Sequence, residues 1–497
     1  MGAFDPTLSL RLVSRREAAM SASSIALGIV ASIVAGTIAF ALASLRRLPS
    51  DPAQLVVGGR SLGTIFLWFL LAGEVYTSFT FLGAAGWAYG QGAPAFYILA
   101  YGTCGYIFGY FLLPALWRRA KERGYLTGPD LFADHFHSRS LGLITGLIQT
   151  VSVIPYITLQ LTALTILFSI SGYGSINATL AATGAFFLIT LFVFKVGLRG
   201  AAWASVVKDI VVLGAILFAG IALPVQFFGS PAAMFDRLIA IHAPLLTFKD
   251  WTSTHGLLWY ISTVLLTGSS FFMGPHSIAA TFSANSENTL RRNAIFLPFY
   301  QVLLLLAFFA GFAALLIVPG LSGTAIDQSF LLVVQHDYPA WVMGFIAAAG
   351  VLCALVPASA LLLASGSVIA RNVVGTFIPY SSPRFNETLA IRLSILAMAL
   401  LSLVMWWTVK ATLVTYLLLT YNAWAQLLPG YLCALRFPRV PGHAVLVGMI
   451  VGIGISLLSM SYTLPIAGIN PGFVALIVNI ASIALITLIS KPRAELA

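Results

Sequence analysis

Charged residues are scarce in this chain: Lys, Arg, Asp and Glu together make up 8% of its 497 residues, whereas 59% are hydrophobic. Soluble domains carry about 25% charged residues. The shortage of charge and a mean hydropathy of +0.96 exclude the soluble and disordered classes. The composition predicts an integral membrane protein surrounded by a lipid bilayer.

Cysteine is also rare. Cys104, Cys353 and Cys433 all lie within apolar runs and show neither pairing nor metal-ligand spacing. This pattern argues against a disulfide framework and a metal site, and we expect no cofactor. Long polar segments are missing as well, and seven residues follow Ser490, so a cytoplasmic signalling module is not expected.

Long apolar runs fill most of the chain. We count thirteen that can cross a hydrocarbon layer roughly 30 Å thick, which predicts an all-α polytopic protein with about 13 transmembrane helices. The first run is too long for the hydrophobic part of a signal peptide, so we expect an uncleaved span. The runs begin near residues 21, 62, 95, 141, 176, 203, 256, 294, 341, 388, 411, 443 and 472.

The net charge of +11 comes from Lys and Arg in short loops beside the spans. Membrane topology explains this distribution, so no nucleic-acid partner is expected. With thirteen spans and the N-terminus outside, 20 of the 26 basic residues fall on the inner side, which predicts a cytoplasmic C-terminus. Arg15 and Arg16, before the first span, argue for the opposite orientation.

Glu74 lies alone in an otherwise uncharged hydrophobic span, from Leu62 to Tyr89. Twelve helical residues advance about 18 Å, which places this carboxyl near the middle of the bilayer. Ionisable groups at that depth usually belong to a substrate, ion or proton pathway. A protonated Glu74 that hydrogen-bonds to a neighbouring helix is the structural alternative.

Two apolar runs are interrupted, the second at residues 72–74 and the seventh at residues 267–276. They lie five spans apart. This spacing fits two inverted five-helix repeats whose first helices break in mid-membrane and expose backbone groups to a ligand.

Several motifs resemble the sodium/solute symporter family: Gly58-Gly-Arg-Ser-Leu-Gly63, Pro275-His276 and residues 363–372. Other segments are similar to its bacterial monocarboxylate permease branch, at residues 124–130, 155–160, 197–199, 207–209, 283–286, 292–294 and 354–358. The resemblance implies an inverted-repeat (5+5) core with discontinuous first and sixth core helices. It further implies a multi-pass protein of the bacterial cytoplasmic (inner) membrane. The expected parts are an N-terminal segment 1–61, a transport core 62–436, and two C-terminal spans with a short tail, 437–497.

The chain departs from the family pattern where the family binds sodium. The paired Ser or Thr of the ninth span are replaced by Val356 and Pro357, and an Asp of the sixth span is replaced by Ser205. Sodium is a hard cation that prefers oxygen ligands. These replacements predict a degenerate sodium site.

Lys208 follows three residues after Ser205, where many family members have Gln. Proton-coupled amino acid transporters of similar architecture place a lysine near the vacated sodium site, so the Lys208 ammonium is a candidate for the missing cation. Desolvation would favour release of its proton. The alternative is that Lys208 snorkels to the cytoplasmic interface.

Hydrogen-bond donors near the two interruptions are the candidates for holding a small carboxylate, beside backbone N–H groups of the broken helices. A protonated Glu74 would avoid repelling such an anion and would enter together with it. We therefore name Glu74 and Lys208 as proton-coupling residues. The substrate-binding candidates are Tyr76, Thr77, Ser78, Tyr156, Gln160, Thr267, Ser269, Ser270, Asn422 and Gln426.

The resulting interpretation is a secondary active transporter that imports pyruvate, lactate, acetate or a similar short monocarboxylate by alternating access, coupled to protons. A sodium-coupled symporter of an amino acid or other small solute, with an ion site displaced to Ser359 or Ser365, is the alternative. A membrane-embedded enzyme would need several acids or histidines at one depth, where we find one acid. A channel would need repeated filter loops or rings of charge.

Overall fold

The computed structural model describes residues 6–45, 49, 51–248, 250–378, 386–461 and 468–490, without the side chains of residues 6–16, Glu74, Met460 and Ser461. All regular structure in these ranges is helical, which confirms the predicted all-α class. Extended segments pair at one isolated bridge there, between Leu62 and Ala284.

The α-helices are α1 (Pro6–Ala43), α2 (Pro52–Val57), α3 (Thr64–Val75), α4 (Ala84–Gln91), α5 (Tyr97–Arg123), α6 (Gly128–His135), α7 (Arg139–Val151), α8 (Val153–Ser171), α9 (Ala178–Leu217), α10 (Leu223–Phe228), α11 (Pro231–His242), α12 (Leu257–Ser270), α13 (Pro275–Ser283), α14 (Glu287–Val302), α15 (Leu305–Ile317), α16 (Ser329–Asp337), α17 (Ala340–Val368), α18 (Gly375–Phe377), α19 (Glu387–Thr408), α20 (Leu413–Trp424), α21 (Leu428–Arg436), α22 (Gly442–Ser461) and α23 (Pro471–Ile489). Short 3₁₀ turns are Gly58–Arg60, Ala93–Phe96, Ala243–Leu246, Gly323–Gln328 and Ala425–Leu427. Wider π turns are Phe79–Gly83, Phe218–Ala222 and Ile369–Val374.

Polar residues begin several of these helices. The side chains of Ser138, Asn177 and Ser286 each accept a hydrogen bond from the backbone N–H three residues later, at the starts of α7, α9 and α14. Such caps satisfy donors that the helix itself leaves open, and each is worth about 1 kcal/mol. Capping residues next to these helices thus help to fix where each helix begins.

Nine helical stretches of the described chain are long and apolar enough to cross a membrane, or ten if α12 and α13 form one bent span. The stretch Ala178–Phe228 covers two of the predicted runs, because helix continues through a kink at Gly197, where φ is 63°. The runs predicted near residues 62 and 411 are divided into shorter helices, α3 with α4 and α20 with α21. Thirteen separate spans remain a prediction.

Helix α17 lies at the centre of the bundle. The membrane-length apolar part of α17 is fully buried inside the protein, and its neighbours include α1, α8, α9 and α19. A helix that is apolar on all sides belongs in a core. Helix α3 packs against α9 and α14, and α13 packs against α17 and α3, so both interrupted segments lie beside this core.

The first interruption lies slightly later than predicted. Helix α3 continues through Gly73 and ends at Val75, and the chain leaves helical geometry at Tyr76, where φ is −93° and ψ is 81°. The second interruption separates Ser270 from Pro275, within the predicted range, and bends the chain by 44°. Gly73 fits within a helix, so the turn at Tyr76, and not the glycine, sets which carbonyls the first break exposes.

Candidate functional site

The first break is occupied by the side chain of Lys208, which reaches it from α9. The ammonium Nζ donates to the carbonyl oxygens of Gly73, at 3.3 Å, and Tyr76, at 3.1 Å. These carbonyls lie at the C-terminal end of α3, where a helix carries partial negative charge. Backbone carbonyl oxygens at the end of α3 therefore stabilise a cation at this position.

Lys208 is 0% exposed, so the alternative in which it snorkels to the interface is wrong. The reason is its partner: Nζ lies 2.6 Å from Oδ1 of Asp209, which is 3% exposed. The attraction between two opposite buried charges offsets part of the cost of removing both from water, and removing either partner typically costs about 3–5 kcal/mol. Lys208 and Asp209 form one ion pair inside the bundle.

Asp209 was missed as a candidate site residue, and the premise of a single acid at membrane depth is wrong. Its Oδ1 also accepts a long hydrogen bond from the hydroxyl of Tyr300, at 3.5 Å, and its Oδ2 has no hydrogen-bond partner among the described residues. A Lys-Asp dipeptide in a long apolar run was the available signal, since neither residue is cheap to bury alone. Asp209 thus adds a proton-accepting oxygen beside the ammonium.

The central helix contributes little oxygen to this region. Val356 is 4% exposed and Pro357 is also buried, and neither side chain carries an oxygen. Ser205 donates its hydroxyl to the carbonyl of Ala201 at 3.0 Å. In the described chain, then, the side chains at these three predicted positions supply one oxygen, that of Ser205.

The hydroxyls of Ser359 and Ser365, the possible displaced ion ligands, also donate within their own helix. Ser359 Oγ lies 2.6 Å from the carbonyl of Val356, and Ser365 Oγ lies 2.7 Å from that of Leu361. A donating hydroxyl keeps lone pairs that can bind a cation. The two serines stand two turns apart on α17, so they do not meet directly.

Two of the substrate-binding candidates meet at the first break. Ser78 donates to Oε1 of Gln160 on α8 at 2.7 Å, and both side chains are fully buried. The other candidates there are oriented differently: the hydroxyl of Thr77 accepts from the N–H of Phe79, and the hydroxyl of Tyr76 donates to the carbonyl of Tyr300. Gln160 is therefore the residue that ties α8 to the broken segment.

The second break holds Tyr156 beside an aromatic cluster. Its ring centroid lies 5.9 Å from that of His276 and 6.0 Å from that of Trp424. The hydroxyls of Thr267, Ser269 and Ser270 all donate to carbonyls of their own helix, α12, at 2.5, 3.0 and 2.7 Å. Tyr156 thus reaches this break from α8, whereas the three hydroxyls hydrogen-bond to backbone carbonyls of α12.

Asn422 and Gln426 lie in a polar network with the last helix. The amide of Gln426 donates to the carbonyl of Gly472 at 3.2 Å, and Nδ2 of Asn479 donates to the backbone carbonyl of Gln426 at 2.9 Å. Asn422 approaches the same glycine, because a Cβ at Gly472 would lie 2.4 Å from its Oδ1. The structure brings these two candidates together with α23.

Glu74 is part of α3, one residue after the carbonyl that binds Lys208. Its side chain lies outside the described residues, and its role stays a prediction.

A second buried carboxyl, that of Asp327, lies beside α4, the helix that follows the first break. It belongs to the turn Gly323–Gln328, and its Oδ2 accepts from the backbone N–H of Leu413, the first residue of α20, at 2.9 Å. Its Oδ1 lies against α4, since a Cβ at Gly86 would be 2.8 Å from that atom. The turn Gly323–Gln328, between α15 and α16, is thereby latched to α4 and α20.

Protonation of Asp327 should control this latch. Burial raises the pKa of its carboxyl to about 7 from an ordinary 3.8, so the latched state binds a proton more tightly than an open state that exposes the group. Stability of the latch therefore falls as pH rises from about 4 to 7. Between pH 6 and pH 8 we expect opening to increase about tenfold, since each pH unit is worth a factor of ten.

Hydrogen–deuterium exchange at the amide of Leu413, corrected for intrinsic rates, measures this opening. The Asp327→Asn variant keeps an acceptor for that amide and carries no charge, so its protection should not change between the two pH values. Asp236→Asn, at an exposed position, is the matched control. Equal pH dependence in Asp327→Asn and wild type would contradict the assignment.

Helices broken in mid-bundle around a buried cation define a secondary transporter rather than an enzyme. Similarity to known proteins supports the same class. The sequence profile of the sodium:solute symporter family matches residues 55–452, and the chain belongs to that family. It is 39% identical over 450 residues to "Uncharacterized symporter YhjB" of Bacillus subtilis (strain 168), covering 88% of this chain and 91% of the relative.

Two further likenesses are to a transport permease and to a solved transporter structure. The chain is 31% identical over 319 residues to a "Monocarboxylate transport permease protein" of Rhizobium johnstonii, covering 64% of this chain and 63% of that protein. The solved structure of a Na⁺-coupled sialic acid symporter in a substrate-bound outward-open state superposes with a TM-score of 0.79 at 15% identity, covering 96% and 99% of the two chains. This likeness supports the inverted-repeat transporter fold.

Proposed function

We propose that this protein is a proton-coupled symporter that imports short monocarboxylates, such as pyruvate, lactate or acetate, across the bacterial inner membrane by alternating access. Its C-terminus is proposed to lie in the cytoplasm. The observation that carries the proposal is the buried ammonium of Lys208 on the carbonyls of Gly73 and Tyr76, a place suited to a cation. The likeness to the monocarboxylate permease supports the substrate class.

Coupling follows from charge balance within the broken segment. Lys208 and Asp209 neutralise one another, so one further proton, on Glu74 or on the pair, compensates the charge of one bound carboxylate. The anion alone is expensive to bring to this depth, because an isolated charge in a low-dielectric interior is strongly penalised. Proton and substrate therefore occupy the site together.

The substrate is held between the two breaks. Gln160 and Ser78 contribute from the first break and Tyr156 contributes beside the second, with backbone N–H groups at the start of α13. Thr77, Thr267, Ser269 and Ser270 line the same broken segments, and Tyr76 packs behind them against Tyr300. Asn422 and Gln426 support this region from α20 and its following turn through their bonds to α23.

Uptake of labelled pyruvate into proteoliposomes, with proton and sodium gradients imposed separately, tests the proposal. An inward proton gradient in sodium-free buffer should drive accumulation, and unlabelled lactate or acetate should compete. Accumulation that requires sodium and ignores acidification on either side would overturn proton coupling.

Sodium coupling is the competing function, since one structural neighbour is a Na⁺-coupled symporter. It would need oxygen ligands such as Ser359 and Ser365, together with release of the carbonyls that Lys208 now occupies. In the same assay, a sodium gradient would then drive uptake at equal pH on both sides.

A further inference from the structure

Two buried N–H groups near the breaks have no hydrogen-bond partner among the described residues. They are Nε2 of Gln160 and Nε1 of Trp424, and both side chains are 0% exposed. Buried donors in folded proteins are paired in the great majority of cases. Two unpaired donors on neighbouring helices, α8 and α20, therefore point to a ligand.

The indole of Trp424 lies directly against the second break. A Cβ at Gly274, the residue before α13, would lie 2.7 Å from Cη2 of this indole, so only glycine allows the contact. The ring of His276, in the first turn of α13, lies 5.5 Å from that of Trp424. The backbone N–H groups that begin α13 carry partial positive charge, and the unpaired indole N–H adds a donor to the same region.

Gln160 belongs to the same region through α8. It follows Tyr156 by one helical turn, about 6 Å, and the ring of Tyr156 contacts that of Trp424. The amide oxygen of Gln160 accepts a hydrogen bond from the hydroxyl of Ser78, whereas its amide nitrogen has no partner in the described part of the chain.

We propose that the indole N–H of Trp424 and the amide N–H of Gln160 bind the carboxylate of the substrate. This inference rests on the proposed function and identifies which groups perform it. A carboxylate offers up to four acceptor positions and no donor, and hydrogen bonds to a charged acceptor are about twice as strong as neutral ones.

The same pair of donors selects against ammonium groups. An indole N–H can only donate, and the oxygen of Gln160 already accepts from Ser78. An ammonium group at this position would face two N–H donors, and the oxygen of Gln160 beside them already receives a hydrogen bond from Ser78, which is an unfavourable arrangement. At this position the two donors therefore favour a carboxylate over an ammonium group.

The test is the KM for proton-driven pyruvate uptake in Trp424→Phe, which keeps an aromatic ring and removes the donor. We expect KM to rise about tenfold or more with the maximal rate retained, and acetate competition to weaken by the same factor. Gln160→Glu keeps the acceptor for Ser78 but replaces the donor with a negative group, so KM should rise further. Trp406→Phe, at a buried tryptophan on α19, is the matched control and should leave KM unchanged.

Three outcomes are distinguishable. A KM within about twofold of wild type in both Trp424→Phe and Gln160→Glu would overturn the carboxylate site while leaving monocarboxylate transport intact. Wild-type protein that takes up no monocarboxylate would overturn the proposed function, on which this inference rests. To separate lost binding from misfolding, variants are compared by monodispersity and thermal stability in detergent, and a stable Trp424→Phe protein with a raised KM supports the assignment.

Discussion

Replacing Lys208 with methionine should abolish proton-driven accumulation, leaving internal pyruvate at no more than the external concentration. The ammonium is hydrogen-bonded to the carbonyls of Gly73 and Tyr76 and paired with Asp209, so the substitution removes the cation from the first break. A proton gradient of two pH units can support about 100-fold accumulation by a one-to-one symporter, since each unit corresponds to a factor of ten. The expected loss is therefore about two orders of magnitude, measured as steady-state uptake into proteoliposomes.

The single variant leaves Asp209 buried without its partner, which on its own costs about 3–5 kcal/mol of stability. The double variant Lys208→Met with Asp209→Asn restores neutrality and should recover thermal stability without recovering accumulation. Lys195→Met, in the same helix but outside the ion pair, is the control. Accumulation at the wild-type level in the double variant would remove the pair from the coupling mechanism.

Replacing Glu74 with glutamine should separate exchange from accumulation. Glutamine imitates the protonated acid and cannot release a proton, so substrate still binds while the proton gradient no longer does work on it. We expect exchange of internal for external pyruvate within a fewfold of wild type, and accumulation reduced by about two orders of magnitude at a gradient of two pH units. Both are read from the same vesicles by adding or omitting internal substrate.

Glu17→Gln, at an exposed position near the start of the first span, is the matched control for loss of an acid and should behave like wild type. Unaltered accumulation in Glu74→Gln would exclude this carboxyl as the proton carrier. If exchange and accumulation fell together, Glu74 would instead be required for substrate binding.

Features that depend on the chemistry of contiguous residues could be predicted from the sequence. The scarcity of charge identified the membrane protein, and Gly, Ser and Pro in 267–276 located the second break within the range that the structure shows. The first break was placed at residues 72–74 and lies at Tyr76 instead, because a glycine is tolerated inside a helix that its neighbours pack. Motifs therefore located the broken segments to within a few residues.

Partners contributed by other helices were harder to predict. Asp209 and Trp424 were not singled out, although one neutralises Lys208 and the other lies against Gly274. Nothing in the spacing of α9 indicates that a Lys208 side chain will reach carbonyls on α3, 132 and 135 residues away in the chain. Such contacts depend on how α3, α9 and α17 pack together.

By itself, the amino-acid sequence determined that the chain crosses a membrane many times, that two spans are interrupted, and that the oxygens expected at residues 356 and 357 are missing. These properties follow from the composition and side chains of contiguous residues. Only the tertiary structure decided that the lysine is buried and that an aspartate balances it. It also decided that the N–H donors of Gln160 and Trp424, beside the breaks, have no partner among the described residues. Burial and pairing are relations between distant segments, and the free energy of a charge depends on the groups that surround it after packing.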